Sequence, residues 1–274
     1  MNPSLSAYKK SSFGPAFLFL DKRRRAALAS YYAFCRLMDD IADEPGVKDR
    51  PAELAFWREE VRRALAGKPQ TDLGREIGRI SAEFAMEPDR FLLLIEGMEA
   101  DVQARTYTTF AELEWYLWRV AGIVGLATLD IVGIKGHKAE ELAWELGFAV
   151  QLTNIVRDVY DDIALGRVYL PSELLTEAGL TRQDVLQNAA PDKLAGVLKQ
   201  TAQRAKEHYR RAAQIMCGLP SRKTLPCRVM GCVYGANLAK IEKVDFRFSK
   251  AVKLSKFEKL TRCFYALCKK EFVD

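Results

Sequence analysis

Apolar residues along this 274-residue chain recur about every three to four positions, and alternating apolar-polar runs are scarce. Good helix formers fill the intervals. The pattern predicts helices over 22–44, 51–66, 72–85, 88–104, 110–119, 121–134, 138–165, 172–177, 181–188, 192–218, 224–245 and 255–270. Breaks fall at Glu44-Pro45-Gly46, Gly67-Lys68-Pro69, Glu87-Pro88, Gly133, Gly136, Gly179 and Leu219-Pro220. No Pro/Gly/Ser-rich linker divides the chain and no internal repeat appears. The expectation is an all-α protein with one domain over 1–274, an N-terminal arm over 1–12 and a basic C-terminal helix over 255–274.

Two helices carry polar faces that surface solvation does not explain well. In the segment 147–171, Gln151, Asn154, Asp158, Asp161 and Asp162 fall within roughly a third of a helical turn. Phe148, Leu152, Ile155, Val156 and Val159 make the opposite, apolar side. In the segment 26–44, Tyr32, Arg36, Asp39 and Asp43 form one narrow stripe, with Asp40 at its edge. Each helix thus presents a D-x-x-x-D pair one turn apart inside an apolar run. Like charges at that spacing repel on a bare helix, so a bound cation would relieve both faces. One such pair alone would most often be a solvated acidic surface.

Mg²⁺ suits this pattern: it takes oxygen ligands and is usually held by one or two carboxylates together with substrate phosphates. Two facing acidic helices in a bundle would clamp such ions around a diphosphate, with Arg36 and Arg157 adding charge-assisted hydrogen bonds. The carboxylates placed to share several such ions are Asp39, Asp43, Asp158 and Asp162. Lys9, Lys10, Ser11 and Ser12, just ahead of Phe13, offer cations and hydroxyls for phosphate, although on the residues alone a solvated N-terminal arm accounts for them better.

The blocks YAFCRLMDDIAD (32–43), YLWRVAGIVG (116–125) and QLTNIVRDVYDDIALGRVYLP (151–171) resemble, in order, the signature blocks of the squalene/phytoene synthase family. The likeness runs from about Ser12 into the 250s. It implies an isoprenoid-synthase-type helix bundle around a central cavity, in which two prenyl diphosphates condense head to head. It also implies substrate contacts from Lys9, Lys10, Ser12, Phe13, Tyr32, Arg36, Tyr116, Val120, Ala121, Gly125, Gln151, Asn154, Arg157, Tyr169 and Tyr234. Asp39, Asp43, Asp158, Asp162, Tyr32 and Arg36 form the expected catalytic set. The resemblance adds Asn154 to Asp39, Asp43, Asp158 and Asp162 as the expected metal ligands and implies two or three Mg²⁺ ions, with Mn²⁺ as the alternative ion. The chain departs from the family pattern at Tyr160 and Asp161, where a small residue and Glu are usual. The branch it resembles most is presqualene diphosphate synthase acting on farnesyl diphosphate in the hopanoid or squalene route. Phytoene or dehydrosqualene synthase, and squalene synthase proper, are the alternatives. Nothing resembles a dinucleotide-binding loop, so NADPH is not expected. A head-to-tail elongase, a terpene cyclase or a non-catalytic assembly partner fits the intact motifs less well.

Composition adds three points. The chain is 49% hydrophobic and 28% charged, ordinary for a globular protein. The net charge of +6 and the recurrence of Lys or Arg at 240, 243, 247, 250, 253, 256, 259 and 262 invite an anionic partner. No nucleic-acid module is recognisable, and peripheral contact with an anionic membrane suits lipid chemistry better. The family resemblance implies a basic contact to diphosphate in this region, for which Lys250 or Lys253 is the candidate. Six cysteines without C-x-x-C spacing point to reduced thiols in a cytoplasmic protein rather than to zinc; a monomer is expected. The segment 88–104, with Glu96, Glu99 and Asp101, reads as a core helix with a polar side.

Overall fold

The computed structural model describes residues 19–268 and residue 272 of the chain; Lys9, Lys10, Ser12 and Phe13 lie outside them. The described residues form helices and loops only. The first four helices are α1 (Lys22–Asp43), α2 (Arg50–Leu65), α3 (Asp72–Phe84) and α4 (Asp89–Val102). Asp21, Asp49 and Thr71 cap the first three by accepting from the backbone N–H groups of Arg24, Ala52 and Gly74, which satisfies donors that a helix start otherwise leaves unpaired.

The pattern predicts a break near residue 120, and the structure has none. Helix α5 (Phe110–Leu117) runs through a π-helical turn (Trp118–Gly122) into α6 (Ile123–Val132), where the Ile123 amide bonds back five residues to the Trp118 carbonyl. The turn absorbs one extra residue without interrupting the hydrogen-bond ladder, a device that often sits at functional sites. This 23-residue helix, Phe110–Val132, is long and apolar enough to cross a bilayer, yet 61% of its apolar window is buried within the protein.

Helix α7 (His137–Arg157) lies at the centre. It packs on α6 and the π turn, on α11 (Pro191–Cys217) and on α12 (Ser221–Glu242). Buried residues occur on most of its sides, as expected of a helix enclosed by others. The approach to the π turn is backbone to backbone: a Cβ on Gly147 would stand 2.8 Å from the Gly122 Cα. Only glycine allows that contact.

Where one helix is expected over 138–165, the structure bends at Asp158 (φ −101°, ψ 12°) and continues as α8 (Val159–Ala164). The amide of Asp158 still donates to the Asn154 carbonyl at 2.8 Å, and that of Asp162 to the Asp158 carbonyl at 2.9 Å. Consecutive side chains on a straight helix point apart. The bend lets Arg157 and Asp158 pair side by side, with Arg157 Nε donating to Asp158 Oδ1 at 2.8 Å. Short helices α9 (Ser172–Glu177) and α10 (Arg182–Leu186) follow. Helix α13 (Lys256–Cys268) packs on α12. Within α12, Pro226 has no N–H to return to the Arg222 carbonyl, and its ring faces the cavity that α1, α4, α6 and α7 enclose.

Candidate active site

The helices surround a cavity of about 420 Å³. Its rim is acidic. Asp39 and Asp43 reach it from the last turns of α1, Asp158 and Asp162 from the α7–α8 bend, and Asp101 from the end of α4. Its deeper walls are apolar and small, with Leu28, Leu94, Val120, Ala121, Gly125 and Val150 among them. The axial rise of about 1.5 Å per residue sets Leu28 far down α1 from Asp43, so the cavity grades from charge to hydrocarbon along its length.

The two acidic segments meet directly. Arg167, from the extended strand of chain after α8, donates to Asp43 Oδ1 at 2.6 Å and to the Ala42 carbonyl at 3.2 Å. One guanidinium from the second motif thus holds a carboxylate of the first. Arg36 lines the cavity while pairing with Asp40 at 2.6 Å. Of the acid–amide face read from the sequence, Gln151, Asn154, Asp158 and Asp162 line the cavity; Asp161 is exposed and does not. Tyr32, Tyr116, Val120, Ala121, Gly125, Arg157 and Tyr169 also line it. Tyr234 does not. It is buried, its ring 5.9 Å from the Arg157 guanidinium, where it packs against an arginine of the wall. Lys250 and Lys253 are exposed and stand outside the lining.

Two residues of the site go unread in the sequence. Asp101 appears there as one polar residue of a core helix. In the structure it is 8% exposed and accepts from Tyr169 Oη at 2.6 Å and Tyr116 Oη at 3.0 Å. The two tyrosine rings stack with centroids 5.0 Å apart. Asp101 therefore ties the second and third blocks together at the rim. Arg167 reads only as part of an extended exit, because its partner lies 124 positions away.

The rim's electrostatics are those of a cation site. Burial pushes Asp39 up to about 7, with Asp43 adding to the rise. Burial pushes Asp162 up to about 8, with Asp158 adding to it. Asp101 rises to about 6 through burial, held back by the hydrogen bond from Tyr169 and the charge of Arg167. The side-chain oxygen of Asn154 is buried without a hydrogen-bond partner, while its amide nitrogen donates to Gln151 at 3.0 Å. A buried bare carbonyl oxygen is costly and is a ready ligand for a hard cation. Among the described residues no three acid, His or Cys groups converge enough to cage an ion unaided. The donors nevertheless are all oxygens, carboxylates and one amide carbonyl, and these fit Mg²⁺, which takes oxygen ligands and completes its shell with water and phosphate oxygens.

A pH dependence follows. These carboxylates have folded values above the ordinary 3.8, so the folded state binds more protons than the unfolded one between the two values. Their contribution to stability is full below about pH 4 and is lost as pH rises through about 6 to 8. The Tm of metal-free protein should fall between pH 6 and 8.5. Added Mg²⁺ with diphosphate should raise Tm more at pH 8.5 than at pH 6. A metal-free Tm that climbs over this range contradicts the assignment.

An all-helical shell around an acid-rimmed, apolar-floored cavity is the architecture of a trans-prenyltransferase. The sequence profile of the squalene/phytoene synthase family matches residues 7–258. The chain is 36% identical to the presqualene diphosphate synthase of Rhodopseudomonas palustris over 253 residues, 91% of this chain and 90% of that one. It is 32% identical to a chloroplastic phytoene synthase of an Oncidium hybrid cultivar, over 92% of this chain and 63% of the other. The crystal structure of squalene synthase HpnC from Alicyclobacillus acidocaldarius superposes with a TM-score of 0.81 at 30% identity, covering 89% of this chain and 92% of that one. The chain belongs to the squalene/phytoene synthase family. It is a trans-prenyltransferase of the head-to-head type.

Proposed function

We propose that the protein condenses two molecules of farnesyl diphosphate to presqualene diphosphate, releasing one diphosphate, with Mg²⁺ as cofactor and hopanoid or squalene synthesis as its setting. The observation that carries this reading is the single cavity in which Asp39 and Asp43 face Asp158 and Asp162, linked by Arg167. The choice of product rests on the similarity to presqualene diphosphate synthase along nearly the whole of both chains.

Asp39, Asp43, Asn154, Asp158 and Asp162 hold the metal ions. Bound Mg²⁺ supplies Lewis acidity that stabilises the negative charge of a departing diphosphate. Arg36, Arg157 and Arg167 donate charge-assisted hydrogen bonds to the same oxygens. Loss of diphosphate from the first substrate leaves an allylic cation at its C1. The C2–C3 double bond of the second substrate attacks that carbon, and loss of one proton closes the cyclopropane ring of the product. The apolar walls around Val120, Ala121 and Gly125 hold the prenyl chains and keep water from the cation. Tyr32 offers a π face to the positive charge. Asp101 fixes Tyr116 and Tyr169 by accepting from both hydroxyls, which keeps two rings of the cavity wall in place.

Incubation with farnesyl or geranylgeranyl diphosphate and Mg²⁺, with and without NADPH, separates the branches. The expected result is presqualene diphosphate from the C15 substrate, unchanged by NADPH. Phytoene from the C20 substrate, or squalene that appears only with NADPH, would replace this reading with one of its neighbours.

A further inference from the structure

Helix α13 is amphipathic in an unusual sense: it has an apolar side on the protein and another on the solvent. Cys263 and Ala266 face inward, 2% and 0% exposed. Phe257, Leu260, Phe264 and Leu267 are 74%, 49%, 62% and 44% exposed. At the helical pitch these four fall within roughly 80° of arc, a continuous outer stripe. They are four of the nine exposed large hydrophobic residues among those described, so the stripe is a concentration and not scatter. Singly exposed apolar side chains need no explanation, but a contiguous patch marks an interaction surface.

Charge selects the partner. Lys250, Lys253 and Lys256 are exposed on the segment that leads into the stripe, and the chain carries a net charge of +6. A symmetric dimer through this face would bring the lysines of two copies together. An anionic lipid surface would meet them with opposite charge. Sequence alone places membrane contact on the basic run; the structure supplies the hydrophobic half of the contact, which basic residues by themselves lack.

Position gives the surface a use. Phe248, just before the lysines, sets its ring edge-on against Tyr160, 5.6 Å between centroids, and Tyr160 lies between Asp158 and Asp162 in the chain. Lys240 ties α12 to α13 through Glu258 at 2.9 Å. Phe248 thus fixes the start of the lysine segment against the second acidic motif, and Lys240 fixes α13 on α12.

We propose that α13 lies in the headgroup plane of an anionic bilayer, with Phe257, Leu260, Phe264 and Leu267 at the acyl boundary and Lys250, Lys253 and Lys256 against lipid phosphates. The functional corollary rests on the prenyl diphosphate reading above: substrates and product, being lipids, pass between bilayer and cavity without crossing bulk water.

Flotation of the full chain with phosphatidylglycerol vesicles, and separately with phosphatidylcholine vesicles, tests the docking without using activity. Phosphatidylglycerol vesicles should carry the protein at low salt and phosphatidylcholine vesicles should carry much less. Phe257→Ser/Phe264→Ser should weaken that binding at least about tenfold, with the circular dichroism melt and the condensation rate in detergent unchanged. If the double variant misfolds, Phe264→Trp supplies the readout, and its emission should shift to the blue on adding phosphatidylglycerol vesicles. The proposal is overturned by no binding to either vesicle, by equal binding to both, or by binding that the double variant leaves intact. It is also overturned by self-association in ultracentrifugation that the double variant abolishes, which would assign the stripe to a second copy. Condensation in detergent is scored separately, so docking and chemistry fail independently.

Discussion

Asp43→Ala and Asp158→Ala should each lower kcat/KM by about 10³-fold or more, since each removes a ligand from a site expected to supply several kcal/mol of charge stabilisation. Neither change should disturb the helices. Both carboxylates face the cavity, with side chains 51% and 25% exposed, and neither contributes to the apolar core. Their charged neighbours make sharp controls. Asp40 pairs with Arg36 and Asp161 is exposed; neither lines the cavity. Alanine at either should cost less than about tenfold, through loss of a partly exposed ion pair or of a surface charge. The comparison is read by steady-state kinetics at saturating Mg²⁺, with far-ultraviolet circular dichroism as the fold check. Equal losses at all four positions would mean that overall negative charge, and not ligand geometry, is what the motifs supply.

The second large effect is expected at Arg167. Its guanidinium holds Asp43 at 2.6 Å, caps the Ala42 carbonyl and lowers the cost of ionising Asp101 and Asp162. Arg167→Gln removes a charge-assisted contact of the kind worth about 1.5–3 kcal/mol, so kcat/KM should fall by roughly 10- to 100-fold. The loss should be partly recovered in Arg167→Lys, which restores a point charge without the forked geometry. Apparent affinity for diphosphate should fall with it. A wild-type rate in Arg167→Gln would leave the bridge as scaffolding only.

What could be read from the sequence divides along a physical line. The two D-x-x-x-D pairs are legible because a helix turns spacing into a face, and both faces do line one cavity. The all-helical architecture is legible for the same reason. Asp101 is not. A single carboxylate beside Glu96 and Glu99 has no local signature, and its importance comes from Tyr116 and Tyr169, brought to it from 15 and 68 positions away. Arg167 sits in extended chain, where no periodicity says which way a side chain points. The bend at Asp158 has neither Pro nor Gly to announce it. The π turn keeps its helix continuous, so the small residues near 121 and 122 suggest a break where the backbone instead closes on Gly147. Tyr234 is the opposite case: its place in the family pattern implies substrate contact, and in the structure its ring stands 5.9 Å from the Arg157 guanidinium, off the cavity lining.

The bend also has a chemical consequence. On a straight helix, Arg157 would point away from Asp158. At the bend it forms a forked contact with that carboxylate through both Nε and Nη2. The rim thus carries acids with arginine partners, Asp43 with Arg167 and Asp158 with Arg157, and acids whose charge is disfavoured by burial and a neighbouring carboxylate, Asp39 and Asp162. A bound cation would lower the cost of ionising Asp39 and Asp162.

Calorimetric titration with inorganic diphosphate tests the central claim, that the two acidic segments jointly grip a metal-bound diphosphate. Tight binding should require Mg²⁺, and Asp39→Asn and Asp162→Asn should each weaken it at least about tenfold, the first acting from α1 and the second from α8. Diphosphate that binds equally well in excess chelator, or that is indifferent to the loss of either carboxylate, would contradict it.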